Sequence, residues 1–208
     1  MFRVLTVARE FGSGGSTISR IIAERLGWRL FDREIIDEVV RLAGIDRDSA
    51  ERCDERLDPV FHRLLKGLWQ GGFEQSTTQI GEEPFDAEQM TRCARVVVEQ
   101  AAAGGNCVIV GRGGQCLLSG RNDTVNVFVW APRDARIDRI HARLPKERDP
   151  ERLMDKMDRE RSAFIRREFN ANWCDHRLYD LIINSALGDE VAADCIISVL
   201  KSGVTAHA

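Results

Sequence analysis

The sequence predicts an α/β fold in which a doubly wound, parallel sheet of five strands lies between two layers of helices. Short β-rich runs alternate with helical stretches along most of the chain, the pattern typical of parallel sheets. Several runs are apolar throughout, as expected for strands that helices cover on both faces. The first run, residues 4–8, leads through a glycine-rich turn into a helical stretch.

The individual elements follow from their local patterns. Runs of β-branched and apolar residues predict the strands, and apolar residues three and four positions apart predict the helices. Residues 16–26, for example, place Ile18, Ile22 and Leu26 on one helical face. The strands are expected at residues 3–8, 28–31, 107–110, 124–130 and 178–183. The helices are expected at residues 16–26, 33–43, 46–70, 87–103, 132–144, 150–170 and 190–201.

Size and composition restrict the classes of function. A chain of 208 residues fits a single domain, residues 1–208, that carries an insert. A net charge of −3 gives no electrostatic reason to expect nucleic acid or a membrane surface as a partner. The six cysteines are scattered, so we expect reduced thiols rather than a zinc site or disulfides. No N-terminal targeting pattern is visible, and we expect a cytoplasmic protein.

The glycine turn, defined as residues 12–17, is the most informative motif. A strand, a glycine-rich turn and a helix together aim backbone N–H groups at one point, which attracts phosphate. A serine or threonine hydroxyl at the helix start is suited to bind Mg²⁺, and Ser16 is the candidate. The usual phosphate-binding pattern has a lysine at the position of Gly15. The candidate phosphate-binding residues are Gly12, Ser13, Gly14, Gly15, Ser16 and Thr17.

Two other interpretations of this turn remain open. Gly12 and Gly14, with Asp32 after the second strand, fit part of the fingerprint of dinucleotide-binding enzymes. Thr17 occupies the third glycine position of that fingerprint, where a side chain opposes close helix–strand packing. Alternatively, the glycines only make a tight turn between a strand and a helix.

Later segments resemble one family of kinases in order and spacing. Residues 107–114 form an apolar run ending in Gly-Arg-Gly-Gly, and residues 125–140 form a second apolar run followed by an arginine-containing helix. Asp158 and Arg161 form a D-x-x-R motif, and residues 179–185 form a final apolar run. Together with the glycine turn, these segments resemble the cytidylate kinase-like family of P-loop nucleoside monophosphate kinases.

The resemblance implies a fold, an activity and a set of ligands. It implies a three-layer P-loop core with an acceptor-side helical insert at about 32–85 and a short lid region at about 145–170. It implies transfer of the ATP γ-phosphoryl group to a nucleoside monophosphate, with CMP or dCMP expected first and Mg²⁺ as cofactor. The acceptor-binding residues that it implies are Asp32, Arg33, Arg112, Asp158 and Arg161.

Two departures from the family pattern bear on catalysis. Because Gly15 replaces the lysine, a guanidinium is expected to supply the missing charge, with Arg9 or a lid arginine (Arg161, Arg166 or Arg167) as the candidate. The acceptor side also differs, since Arg33 follows Asp32 where cytidylate kinases have a serine. A nucleotide-sensing module without catalysis is therefore the second hypothesis, and a dinucleotide-dependent oxidoreductase is the third. Small nucleotides are the expected partners, and a homodimer is compatible with the sequence.

Overall fold

The computed structural model describes residues 2–32 and 87–202. The chain divides into two compact units, residues 1–32 with 101–208 and residues 33–100. The helices predicted at 33–43 and 46–70, and the insert predicted at 32–85 apart from Asp32, lie outside the described residues. The single-domain organisation therefore stays a prediction.

Five parallel strands form one sheet, which confirms the predicted fold class. The strands are β1 (Val4–Arg9), β2 (Arg29–Phe31), β3 (Cys107–Val110), β4 (Thr124–Trp130) and β5 (Leu181–Asn184). Their order in the sheet is β2-β3-β1-β4-β5. In the dinucleotide-binding fold, β2 lies directly beside β1. Here β3 separates them, which disfavours the oxidoreductase hypothesis.

The described helices start and end close to their predicted limits. The short helix Gly114–Leu117 was not predicted, and neither were the 3₁₀ turns His176–Leu178 and Ser185–Leu187. None of the helices in the described part of the chain is long and apolar enough to cross a membrane. The helices are α1 (Gly15–Leu26), α2 (Ala87–Gly104), α3 (Gly114–Leu117), α4 (Arg133–Arg143), α5 (Pro150–Phe169) and α6 (Asp189–Ser202).

Both faces of the sheet are covered within the first unit. On one face, α1 and α6 pack together over alternate residues of the strands, including Leu5, Val7 and Val127. On the other face, Ile165 of α5 packs in a cluster with Ala8 and Phe128. All four residues of β3 are buried, as the apolar composition of that run predicts.

Strand β5 begins three residues later than predicted. Asp175 accepts a hydrogen bond from the Arg177 N–H and so caps a 3₁₀ turn at His176–Leu178. Tyr179 then donates its hydroxyl to the Trp173 carbonyl and packs its ring on Phe128. These local bonds compete with the sheet for the chain before Leu181.

Candidate functional site

The carboxyl ends of all five strands meet at one edge of the sheet, where ligands bind in folds of this type. Strand β1 is central in this edge, between β3 and β4. The glycine turn follows β1, and the turn 111–113 follows β3. The two motifs singled out in the sequence therefore lie side by side.

The start of α1 offers uncompensated N–H groups. Gly14 is its N-cap, in the left-handed region at φ 80°, and Gly12 has φ 81°. Within the described residues, no side chain caps this helix. Since the first N–H groups of a helix have no acceptor within it and carry partial positive charge, this end favours an anion.

Two arginines of α4 hold carbonyl oxygens of the turn region. Arg136 donates from Nε to the Phe11 carbonyl at 2.7 Å, and Arg139 donates to the Ser13 carbonyl at 3.1 Å. The Ser185 hydroxyl also donates to the Ser13 carbonyl. In a trans peptide the N–H points opposite to the C=O. The N–H groups of Gly12 and Gly14 therefore point away from α4.

The hydroxyl groups of the turn divide into two kinds. Ser13 is buried and donates twice to the Glu10 carbonyl, from its hydroxyl at 2.9 Å and from its backbone N–H at 3.3 Å, so both of its donors are already used within the turn. Ser16 and Thr17 are half-buried on the first turn of α1. Among residues 2–32 and 87–202, no three His, Cys, Asp or Glu side chains cluster to hold a metal ion. The Ser16 hydroxyl could hold a Mg²⁺ ion, as the serine or threonine at the helix start of phosphate-binding loops does.

Arg136 is the most buried charged side chain of the site, only 9% exposed. It forms ion pairs with Asp158 of α5 and, at 3.2 Å, with Glu10. Asp158 also accepts the Phe11 N–H at 2.8 Å. Burial raises the pKa of the Glu10 carboxyl above its usual value, and the nearby Arg136 guanidinium offsets only part of this rise.

Arg161, the second residue of the D-x-x-R motif, lies beside the same segment. It donates to the Arg9 carbonyl at 3.0 Å, and its guanidinium stands 5.5 Å from the centre of the Phe11 ring. It also contacts Asp158 at 3.4 Å. We call Arg136, Asp158 and Arg161 the clamp, because together they hold the backbone of residues 9–11. The motif assigned to the acceptor therefore lies at the base of the glycine turn.

Arg112 occupies a strained turn. Its φ is +54°, between Gly111 at 79° and Gly113 at 70°. A side chain in this region costs about 1 kcal/mol, and such outliers concentrate at functional sites. A Cβ at Gly111 would meet the guanidinium of Arg9, so the Arg9 side chain reaches the turn that carries Arg112.

Three other predicted residues lie within the described part of the chain and are not brought to the glycine turn. Asp32 follows β2, which β3 separates from β1. Arg166 and Arg167 are exposed near the end of α5, and Arg167 pairs with Glu168 at 2.6 Å. Arg33 lies outside the described residues. The roles predicted for these four residues stay predictions.

Sequence reasoning missed the groups that support the turn. Arg139 also donates to Ser185 and pairs with Asp189 at 3.2 Å, beside Gly14. The signal was present in the spacing, because arginines at 133, 136 and 139 recur every third residue at the start of a helix. The missed residues are Glu10, Arg136, Arg139, Ser185 and Asp189.

Comparison with known proteins identifies the family. The sequence pattern of the cytidylate kinase-like family matches residues 4–187. The chain belongs to this family. It is 29% identical over 102 residues to a cytidylate kinase of Shewanella oneidensis, and 38% identical over 65 residues to one of Shewanella sediminis. These matches cover 48% and 28% of this chain, and the chain spans only 44% and 28% of those kinases.

Solved structures agree on the fold. An uncharacterized protein from Eubacterium ventriosum superimposes with a TM-score of 0.70 at 20% identity, covering 96% of this chain and 99% of that one. The shikimate kinase of Acinetobacter baumannii superimposes with a TM-score of 0.52 at 16% identity, covering 97% and 94% respectively. At these identities the likeness concerns the fold alone.

The clamp predicts a difference between two aspartates of α5. Asp158→Asn removes the charge that faces buried Arg136, and we expect the free energy of unfolding to fall by about 2–3 kcal/mol. Asp155 also pairs with an arginine of α4, Arg133 at 2.7 Å, but both groups are exposed. Asp155→Asn is therefore the matched control, and urea denaturation should show no resolvable change. Equal losses in the two variants would contradict a structural role for the clamp.

Proposed function

We propose that this chain transfers the γ-phosphoryl group of ATP to a nucleoside monophosphate, with CMP and dCMP as the first acceptors to test. The observation that carries the proposal is the start of α1, which no described side chain caps. Since α4 donates hydrogen bonds to the Phe11 and Ser13 carbonyl oxygens just before it, the N–H groups of the following peptides point away from α4. Membership of the cytidylate kinase-like family supports the same reaction.

The donor side of the proposed site consists mainly of backbone. The N–H groups of Gly12, Gly14, Gly15, Ser16 and Thr17 bind the phosphates of ATP. The Ser16 hydroxyl would hold a Mg²⁺ ion, which would neutralise phosphate charge. Phosphoryl transfer needs alignment and charge neutralisation more than covalent help, so a rigid cradle is suited to it. The clamp provides that rigidity by fixing residues 9–11.

The acceptor side of the proposed site is built around Arg112. It follows β3, directly beside β1, and its planar guanidinium can bind two phosphate oxygens of the acceptor. Asp32 follows β2 on the far side of β3 and contributes to the same acceptor in this proposal, and Arg33, outside the described residues, keeps its predicted role. Asp158 holds the turn, and in this proposal Arg161 supplies positive charge to the transferred group. Arg166 and Arg167 are the lid-side candidates for the same charge.

A nucleotide-sensing module is the second candidate function. The observation that favours it is Gly15, because the lysine that usually contacts the β- and γ-phosphates is replaced there. Such a module would bind ATP at the same turn without turnover. The two functions differ only in whether an acceptor is phosphorylated.

An acceptor screen tests the proposed reaction. ATP with Mg²⁺ is offered with CMP, dCMP, UMP, AMP or GMP, and ADP release is followed by a coupled assay. We expect acceptor-dependent turnover with a pyrimidine nucleotide. ATP binding without turnover on any acceptor would support the sensing module, and absence of ATP binding would contradict both functions.

Arg112→Gly tests the acceptor role. Glycine adopts φ +54° freely but also increases the conformational entropy of the unfolded chain, so the free energy of unfolding of the variant is measured beside its kinetics. Loss of the bidentate phosphate contact should raise the KM for the acceptor about 10- to 100-fold, and the KM for ATP should change little.

The control for this variant is Arg177→Gly, since Arg177 is 79% exposed and pairs only locally with Asp175. It should leave both KM values unchanged. An equal rise in the two KM values of Arg112→Gly would contradict a role specific to the acceptor.

A further inference from the structure

Packing explains why glycine occupies position 15. A Cβ at Gly15 would lie 2.6 Å from the Cβ of Arg9 and 2.8 Å from its Cγ, distances that real side chains do not tolerate. Gly15 is the first residue of α1 and its φ is not positive, so its backbone does not itself demand glycine. The Arg9 side chain therefore excludes a side chain from the position at which the phosphate-binding pattern has lysine.

The path of Arg9 runs across the site. The residue ends β1, its stem passes over Gly15, and its guanidinium reaches the backbone of Gly111. One end of this path is the N-terminus of α1, and the other is the turn that carries Arg112. The guanidinium of Arg9 thus lies beside the turn that carries Arg112, at the end of a stem that passes the start of α1.

The start of this side chain is held in place. The Arg9 carbonyl accepts a hydrogen bond from Arg161, and the next residue donates its N–H to the Val129 carbonyl at 3.1 Å. Arg9 also pairs with Val129 across the β1–β4 ladder. Because the backbone is fixed on both sides, the direction in which the stem leaves β1 is fixed as well.

We propose that Arg9 supplies the cation of the donor site in place of a lysine at position 15, and that Gly15 is glycine because the Arg9 stem crosses it. This inference rests on the proposed function. A guanidinium keeps its charge at any physiological pH and can bind oxygens of two phosphates at once. Arg9 thereby contacts the group in transfer and neutralises the charge that develops on it.

Charge variants of Arg9 test the first half of the proposal. Arg9→Gln removes the charge but keeps a polar stem, and Arg9→Lys keeps the charge. We expect the Kd for ATP–Mg²⁺, measured by calorimetry, to rise about 10- to 100-fold in Arg9→Gln and much less in Arg9→Lys. Arg20→Gln, on the exposed face of α1, is the control and should bind like the parent.

The outcomes separate this inference from the proposed function. If the parent chain binds no ATP, the proposed function itself is contradicted. If the parent binds ATP and Arg9→Gln binds it equally well, only the role of Arg9 is overturned. If Arg9→Gln and Arg9→Lys lose affinity equally, the side chain acts by packing and the charge proposal is also overturned.

Substitutions at position 15 test the second half. The Cβ of Arg9 alone is 2.6 Å from the position of a new Cβ, so alanine at position 9 does not clear the space and only glycine does. We expect Gly15→Lys to weaken ATP binding or folding, and the double variant Arg9→Gly with Gly15→Lys to bind ATP more tightly than Arg9→Gly alone. Thermal unfolding is recorded for each variant.

A Gly15→Lys variant that folds and binds ATP as well as the parent would overturn the packing explanation. If Gly15→Lys does not fold, the comparison of the double variant with Arg9→Gly still decides the question. An unchanged Kd in that comparison would show that a lysine at position 15 cannot replace Arg9, contrary to the proposal.

Discussion

The candidate site depends on the hydrogen bonds that two arginines of α4 donate to the carbonyl oxygens of Phe11 and Ser13. A glycine-rich turn has many accessible conformations, and its N–H groups converge only if its peptide planes are fixed. Arg136 and Arg139 fix two of these planes by charged hydrogen bonds, which are stronger than neutral ones. The resulting N–H groups face one side, where the partial charge of α1 adds to theirs.

The clamp extends this control to a second helix. The free-energy cost of burying the Arg136 guanidinium is small because Asp158 and Glu10 form ion pairs with it and the Phe11 carbonyl accepts a hydrogen bond from it. Asp158 in turn connects α5 to the Phe11 N–H. A shift of α5 along its axis would therefore disturb the backbone that leads into the glycine turn. The geometry of the turn and the position of α5 are mechanically coupled.

Local patterns were sufficient to predict much of the fold. All of β3 and residues 4–8 of β1 are buried because helices cover both faces of the sheet, and the limits of both strands were predicted within one residue. The start of β5 was misplaced because an aspartate cap and a tyrosine hydroxyl compete for the chain before it. The hydrogen bonds of Arg136 and Arg139 to the glycine turn could not be predicted from local patterns, because they join residues 125 and 126 positions apart. In addition, a charged residue on a helix usually indicates a solvated face. In the sequence, Gly15 is only a departure from the phosphate-binding pattern. The packing reason for this glycine could not be predicted, because the space that the Arg9 side chain occupies depends on tertiary structure.

Backbone N–H groups of the glycine turn should bind a triphosphate, and amide NMR observes each of these groups separately. In ¹⁵N-labelled protein titrated with ATP–Mg²⁺, we expect the largest amide shifts at Gly12, Gly14, Gly15 and Ser16, with smaller shifts on the remote face of α6. Saturable shifts confined to other segments, with these four amides unmoved, would show that the triphosphate binds elsewhere.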